Sequence, residues 1–411
     1  AEHRIDTTEQ RQPAVATRLL VPLLAALAAI GPFTIDAYLP AFPAIAHSLG
    51  ATQLEVQQTL TAFLLPYAFM TLWHGAISDT FGRRRVVLVC LVLFALASGA
   101  CAFATRIEHL WLARALQGLT SGAGIVGGRA VVRDLLQGAE AQRLMSHVAM
   151  VFSLAPAIAP IVGGWVFAAF GWRAVFVMLV LFGSALFVAC HYLLPETLSP
   201  GQRHSLHPVS LSKAYWRVFT RLEFLLLAGA LALNFNGFFL YVLSAPVFLM
   251  QHLGVTPQAF AWMFVPTVAG TMAASYLSGK LAGRLSQRRT VALSFAIMLA
   301  AAVANVVVNI WLPPGLPRSV LPLMLYTVGM ALAMPSLSLL ILDQYPERRG
   351  LVSSCQSFVQ SVGNSLTAAI IAPLLWQTTV MLSFGMAALL ALGLVAFVLY
   401  LLHRRMAKAP G

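Results

Sequence analysis

The chain has 411 residues, of which 59% are hydrophobic and only 9% charged, against the roughly 25% charge of a soluble domain. Length alone allows two or three soluble domains, but the apolar runs are too many and too long for soluble cores. Each can cross about 30 Å of hydrocarbon, so composition predicts an all-α polytopic membrane protein, and the net charge of +13 has to be explained by where the cations fall.

Runs of about 20 apolar residues predict helices over 18–46, 56–77, 84–105, 108–132, 144–170 and 173–194, then over 222–250, 258–282, 290–312, 319–342, 351–375 and 378–402. That makes twelve transmembrane helices. Prolines inside the spans (Pro156, Pro160, Pro246, Pro266, Pro335, Pro373) do not veto them, because neighbouring helices re-satisfy freed backbone groups in membranes. Residues 1–17 are polar and read as a cytoplasmic tail, and the first span is too long for the apolar region of a cleaved signal.

The segment GAISDTFGRRR at 75–85 and the segment GKLAGRLSQRR at 279–289 each join the second and third spans of a six-span half, 204 residues apart. A duplicated six-helix unit follows: an N-terminal bundle over 18–195, a polar cytoplasmic linker over 196–221, a C-terminal bundle over 222–403 and a tail over 404–411. In such pairs of pseudo-symmetric bundles the site lies near the midplane between the halves.

Of the 26 Lys and Arg, 22 fall on the side that holds both termini, three (Arg106, Arg173, Arg318) on the other, and Arg114 lies within a helix. Cations accumulate in cytoplasmic loops, so both termini are expected to be cytoplasmic. The basic balance is a topology signal plus attraction to anionic lipid, and no nucleic acid is called for. The four cysteines are scattered, with no C-x-x-C pair to mark a metal or redox site. No phosphate-binding loop and no paired-histidine pattern occurs, which argues against ATP, a metal or a cofactor.

Among 13 acids, Asp36 alone falls deep in a span. With the first span read as one helix to His47, it lies about 15 Å from the outer end, and Arg114 about 10 Å from that side, so the two can face one another. Burial raises a carboxylate's pKa and a neighbouring Arg lowers it, which can leave Asp36 poised to carry protons; a fixed ion pair or a helix-end hydrogen bond are the structural alternatives. Ser353, Gln356, Ser357, Gln360, Asn364 and Thr367 recur every three or four residues on one helix face, as interhelical glue or as a cavity wall. Tyr38, Phe63, Tyr67, Gln117, Asn234, Asn236 and Tyr241, with Gln356, Gln360 and Asn364, are candidates for a substrate wall. Gly163 and Gly164 with Pro156 and Pro160 allow the fifth span to bend and approach a neighbour.

GAISDTFGRRR resembles the loop between helices two and three of the major facilitator superfamily, LARALQG (112–118) its helix-four motif, and APAIAPIVGG (155–164) the helix-five motif of its proton-driven exporters. With DAYLPAFPAIA (36–46), RAVVRD (129–134), GWRAVF (171–176) and LPET (194–197), the chain is most similar to the bicyclomycin- and chloramphenicol-resistance (Bcr/CflA) group of drug/proton antiporters. The resemblance implies the major facilitator fold, a multi-pass protein of the bacterial inner membrane, no enzyme activity, the proton as coupling ion and a working monomer. It implies proton coupling at Asp36 and Arg114. It also implies a gate latch at Asp79, Gly82, Arg83 and Arg84, the Asp facing a helix end and the Arg residues bonding across the two halves, with positive-inside anchoring as the alternative, and a conformational switch at Pro156, Pro160, Gly163 and Gly164. The expected function is export of small amphipathic neutral, zwitterionic or monocationic compounds; proton-coupled uptake of a nutrient or metal is the first rival, a membrane redox subunit the second.

Overall fold

The computed structural model describes residues 15–136, 138–198, 200–203, 206–281 and 284–406. Most of the expected N-terminal tail, the end of the C-terminal one and Gly283 lie outside them. Sixteen α-helices run through the described residues. The first half comprises α1 (Val15–Asp36), α2 (Phe42–Leu49), α3 (Gln53–Phe81), α4 (Arg83–Ala102), α5 (Ile107–Ser121), α6 (Ala123–Leu135), α7 (Gly138–Phe170) and α8 (Trp172–Leu193). A linker helix, α9 (Pro208–Phe219), follows. The second half comprises α10 (Leu222–Leu243), α11 (Ala261–Leu281), α12 (Gln287–Trp311), α13 (Leu321–Leu342), α14 (Arg349–Leu366), α15 (Ala372–Leu375) and α16 (Thr379–Met406).

Eleven segments among the described residues are long and apolar enough to cross a membrane. The fourth span completes the twelve: at Gly122 it is divided into α5 and α6, neither long enough by itself. The first span differs from its expected form. It is interrupted after Asp36, passes through a short 3-10 turn (Leu39–Ala41) and restarts as α2. Pro40 supplies the reason, since a proline has no N–H to give the carbonyl four residues earlier, which is that of Asp36. Spans seven and eleven carry π-helical turns at Pro246–His252 and Thr367–Ile371.

Within the first half α3 packs on α5, α4 on α8 and α1 on α7; within the second, α10 packs on α16 and α12 on α13. Across the halves α3 lies along α14, and α7 along α11. The linker expected to be merely polar instead folds into α9, which packs on α10 and α14. Its buried side is Tyr215 and Val218, whereas Val209 and Trp216 are exposed.

Candidate functional site

Asp36 ends α1 at the break that Pro40 creates, and is 4% exposed. Its Oδ1 has no hydrogen-bond partner. The alternative of a fixed ion pair with Arg114 is not what the structure shows: no carboxylate among the described residues lies within salt-bridge distance of Arg114. The reason is the competing set of ligands around the guanidinium. Arg114 is fully buried between the rings of Tyr38 (4.4 Å) and Phe63 (4.6 Å). It donates to the carbonyls of Thr34 (3.0 Å) and Thr59 (3.4 Å) and to Gln117 Oε1 (2.8 Å). Its Nη2 has no partner. An acid and a base thus each keep one unsatisfied atom while Arg114 bonds the chain two residues from Asp36.

Tyr38, Phe63 and Gln117, three of the residues expected in a substrate wall, are fully buried around Arg114. Gln117 also donates to Ser98 (2.8 Å), and Tyr38 pairs with Thr59 (2.8 Å). Tyr67 stacks beyond Phe63 at 5.9 Å and is half-buried.

The helix-five glycines are contact points. A Cβ on Gly163 would lie 1.8 Å from the carbonyl oxygen of Ala37, and one on Gly164 2.3 Å from that of Pro257. Consecutive residues of α7 thus touch the residue after Asp36 on one side and the second half on the other. Pro156 and Pro160 lie within α7. Gln58 adds a further link between the halves, donating to the carbonyl of Ala369 in the π-helical turn of span eleven (3.1 Å).

At the cation-rich end three separate motifs converge. Arg83 bonds Asp79 and Asp134 (3.2 Å), and Asp134 also accepts from Thr197 (2.6 Å). Glu196 accepts from the Arg83 backbone N–H (2.9 Å) at the start of α4, where a carboxylate meets the positive end of the helix dipole. Gly82 has φ +100°, and a Cβ there would lie 2.6 Å from Glu196 Oε2. Arg84 donates to the carbonyl of His191. These contacts of Asp79, Gly82, Arg83 and Arg84 lie within the first half and the start of the linker. In the second half Gln287, at the repeat position of Arg83, donates to Asp343 (3.5 Å), and the cation on that carboxylate is Arg349 instead (3.4 Å).

On α14, Gln356, Gln360 and Asn364 share a half-buried face. Gln356 accepts from Ser338 (3.1 Å) and Asn364 from Asn236 (3.0 Å). Asn234 and Tyr241 turn into the second half instead. A Cβ on Gly393 of α16 would meet Asn234 at 2.4 Å, and Tyr241 accepts from Asn305 of α12 (2.8 Å).

Two residues escaped the sequence-based expectations. His74, on α3, is 1% exposed, its Nδ1 3.0 Å from where a Gly122 Cβ would sit; a count of acids alone passes over an imidazole in an apolar run. Tyr215, on α9, donates to the carbonyl of Leu72 in the first half (2.5 Å). Burial, with Cys355 and Asp79 adding to it, pushes its hydroxyl up to about 12, so it stays a donor. Its signal was the apolar side of PVSLSKAYWRVF.

The family model described as the Major Facilitator Superfamily matches residues 24–368, and again 227–411. The chain belongs to the Major Facilitator Superfamily. An uncharacterized MFS-type transporter, YdgK of Bacillus subtilis, is 37% identical over 59% of this chain and 61% of its own length. A bicyclomycin resistance protein homolog of Haemophilus influenzae is 29% identical over 64% of this chain and 66% of its own. The chain thus matches just under two thirds of these relatives. The superfamily fold extends along nearly the whole chain: a bacterial homolog of the human lysosomal transporter Spinster superposes with TM-score 0.71 at 17% identity, over 96% of this chain and 98% of that one.

Proposed function

We propose that this transporter is a proton-coupled exporter, taking small amphipathic neutral, zwitterionic or monocationic compounds outward in exchange for protons by alternating access. The observation that carries the reading is Asp36. A buried carboxylate with an unpartnered oxygen ends a broken helix, one residue from the Ala37–Gly163 contact, and Gly164 carries that contact on to Pro257 of the other half. Intramembrane acids of this kind mark ion pathways, and a change of charge at Asp36 would act directly on the packing of α7. The bicyclomycin-resistance homolog supports drug-like cargo. The cation-rich end is the cytoplasmic one, with both termini there, and the bacterial relatives support the cytoplasmic membrane as the location. The proton is the coupling ion, no other cofactor is required, and one chain forms the complete path.

Asp36→Asn, reconstituted in liposomes, is expected to bind cargo yet lose transport driven by a pH gradient. Full gradient-driven flux in this variant would falsify the carrier role. With one carrier acid, about one proton moves per cycle, so dications are exported poorly. Cells carrying the protein accumulate less of a transported compound than cells without it; greater accumulation points to uptake.

A further inference from the structure

Helix α9 presents two unlike sides. Tyr215 and Val218 pack inward, and Tyr215 reaches across to Leu72. Outward, Val209 and Trp216 are each 70% exposed with Lys213 between them on the same face, the pattern of a helix lying in the membrane interface. Between α9 and the start of α14 lies a cleft of about 690 Å³, lined by Lys213, Arg217 and Arg348 with Ser210, Val209 and Leu351 among others. No acid lines it. None of its three Lys or Arg takes part in an ion pair among the described residues, whereas neighbouring Arg349 is held by Asp343 at 3.4 Å. A second groove of about 620 Å³ shares Lys213 and Arg217 and continues to Trp216.

We infer that this cleft seats the phosphate of an anionic phospholipid, with the acyl region running along Val209 and Trp216. Three cations with no ion pair among the described residues converge on one concave surface, and the apolar side chains of Val209 and Trp216 adjoin them along the second groove. A soluble anion would use the cations and leave the apolar groove exposed. Because the cleft and Tyr215 occupy opposite sides of one helix, a bound lipid holds α9 against α14 in the position from which Tyr215 reaches the first half. The inference rests on the orientation proposed above, but not on proton coupling or cargo.

The test is lipid retention by the purified full-length chain, with phosphatidylglycerol against phosphatidylcholine, read by native mass spectrometry. The wild type is expected to prefer phosphatidylglycerol. Each of Lys213→Gln, Arg217→Gln and Arg348→Gln should cut that preference about fivefold, and the triple variant roughly a hundredfold, from the usual gain per cation at an anionic surface. Phosphatidylcholine, whose phosphate is offset by its choline, should lose less retention than phosphatidylglycerol, and the charge-keeping variants Lys213→Arg and Arg217→Lys should retain the preference. In parallel, phosphatidylglycerol brominated near the headgroup should quench fluorescence that disappears in Trp216→Phe. A triple variant that keeps its preference, or inorganic phosphate displacing the lipid at comparable concentration, overturns the proposal. Neither outcome bears on Asp36, so failure here is separate from failure of the transport reading.

Discussion

Arg114 shows how a buried cation is stabilised without a carboxylate. Two backbone carbonyls, one amide oxygen and two aromatic faces surround it, and the planar guanidinium is the one cationic side chain that can stack and donate in several directions together. Arg114→Lys keeps the charge but reaches fewer acceptors, leaving groups such as Gln117 Oε1 without their donor. Lost bonds to a charged group cost about 1.5–3 kcal/mol, so the unfolding midpoint in detergent should fall even where expression is retained. An unchanged midpoint would mean that the cluster is not what holds α3 against α5. Gly82 makes a different demand. At φ +100°, with Glu196 against its open side, Gly82→Ala is expected to destabilise by about 1–3 kcal/mol. Because the carboxylate would be displaced from the start of α4, Glu196→Gln combined with Gly82→Ala should cost less than the sum of the two, measured as a double-mutant cycle by chemical denaturation.

Among the elements, α7 depends on the smallest side chains at consecutive positions. Gly164→Leu would drive a side chain into the backbone of Pro257, forcing the halves apart at the cation-poor end. Spin labels at Ser48 and Thr256, in a background lacking the four cysteines, should report a longer mean distance than in the unsubstituted chain; an unaltered distribution would show that α7 does not gate that end. Legibility differs by kind of element. The spans were readable because lipid demands long apolar runs, and the glycine pair because close approach needs small residues. The break after Asp36 was also written in the sequence, as Pro40 four residues on, but an apolar run that continues to Leu49 conceals it. The contacts of Arg83 with Asp134 and Glu196 join residues 51 and 113 positions apart, and no local pattern states which of several polar loops will meet. For the same reason Asn234 and Tyr241 could be recognised as intramembrane polar residues, but not as members of the second-half interior.

For the whole molecule, the halves are joined differently at their two ends. At the cation-poor end the links are Gly164 with Pro257, the Ala369 carbonyl that Gln58 reaches, and the bond from Gln251 to Gln53 (3.5 Å); at the other end Tyr215 reaches from α9 to Leu72. A hydrogen bond of this kind contributes about 1 kcal/mol net, whereas a proton gradient supplies about 1.36 kcal/mol per pH unit and membrane potential about 2.3 kcal/mol per charge per 100 mV. The tie is therefore weak enough for the proposed driving force to release on every cycle, yet strong enough to bias the resting population about fivefold. Its pH response follows from the raised hydroxyl. The folded pKa of about 12 exceeds the unfolded value of about 10, so the stabilisation is complete below the unfolded value and fades as pH rises through the folded one. Across the neutral range the tie is constant, and pH effects on transport there must arise at other groups. Tyr215→Phe should thus shift the population toward opening at the cation-rich end by about fivefold at every pH near neutrality, read as reactivity of a cysteine at Leu72 or as a label distance between α3 and α9. A shift that grew or vanished between mildly acidic and mildly alkaline pH would show that the tie itself titrates, and would remove the separation between proton binding and latch on which this view of the cycle depends.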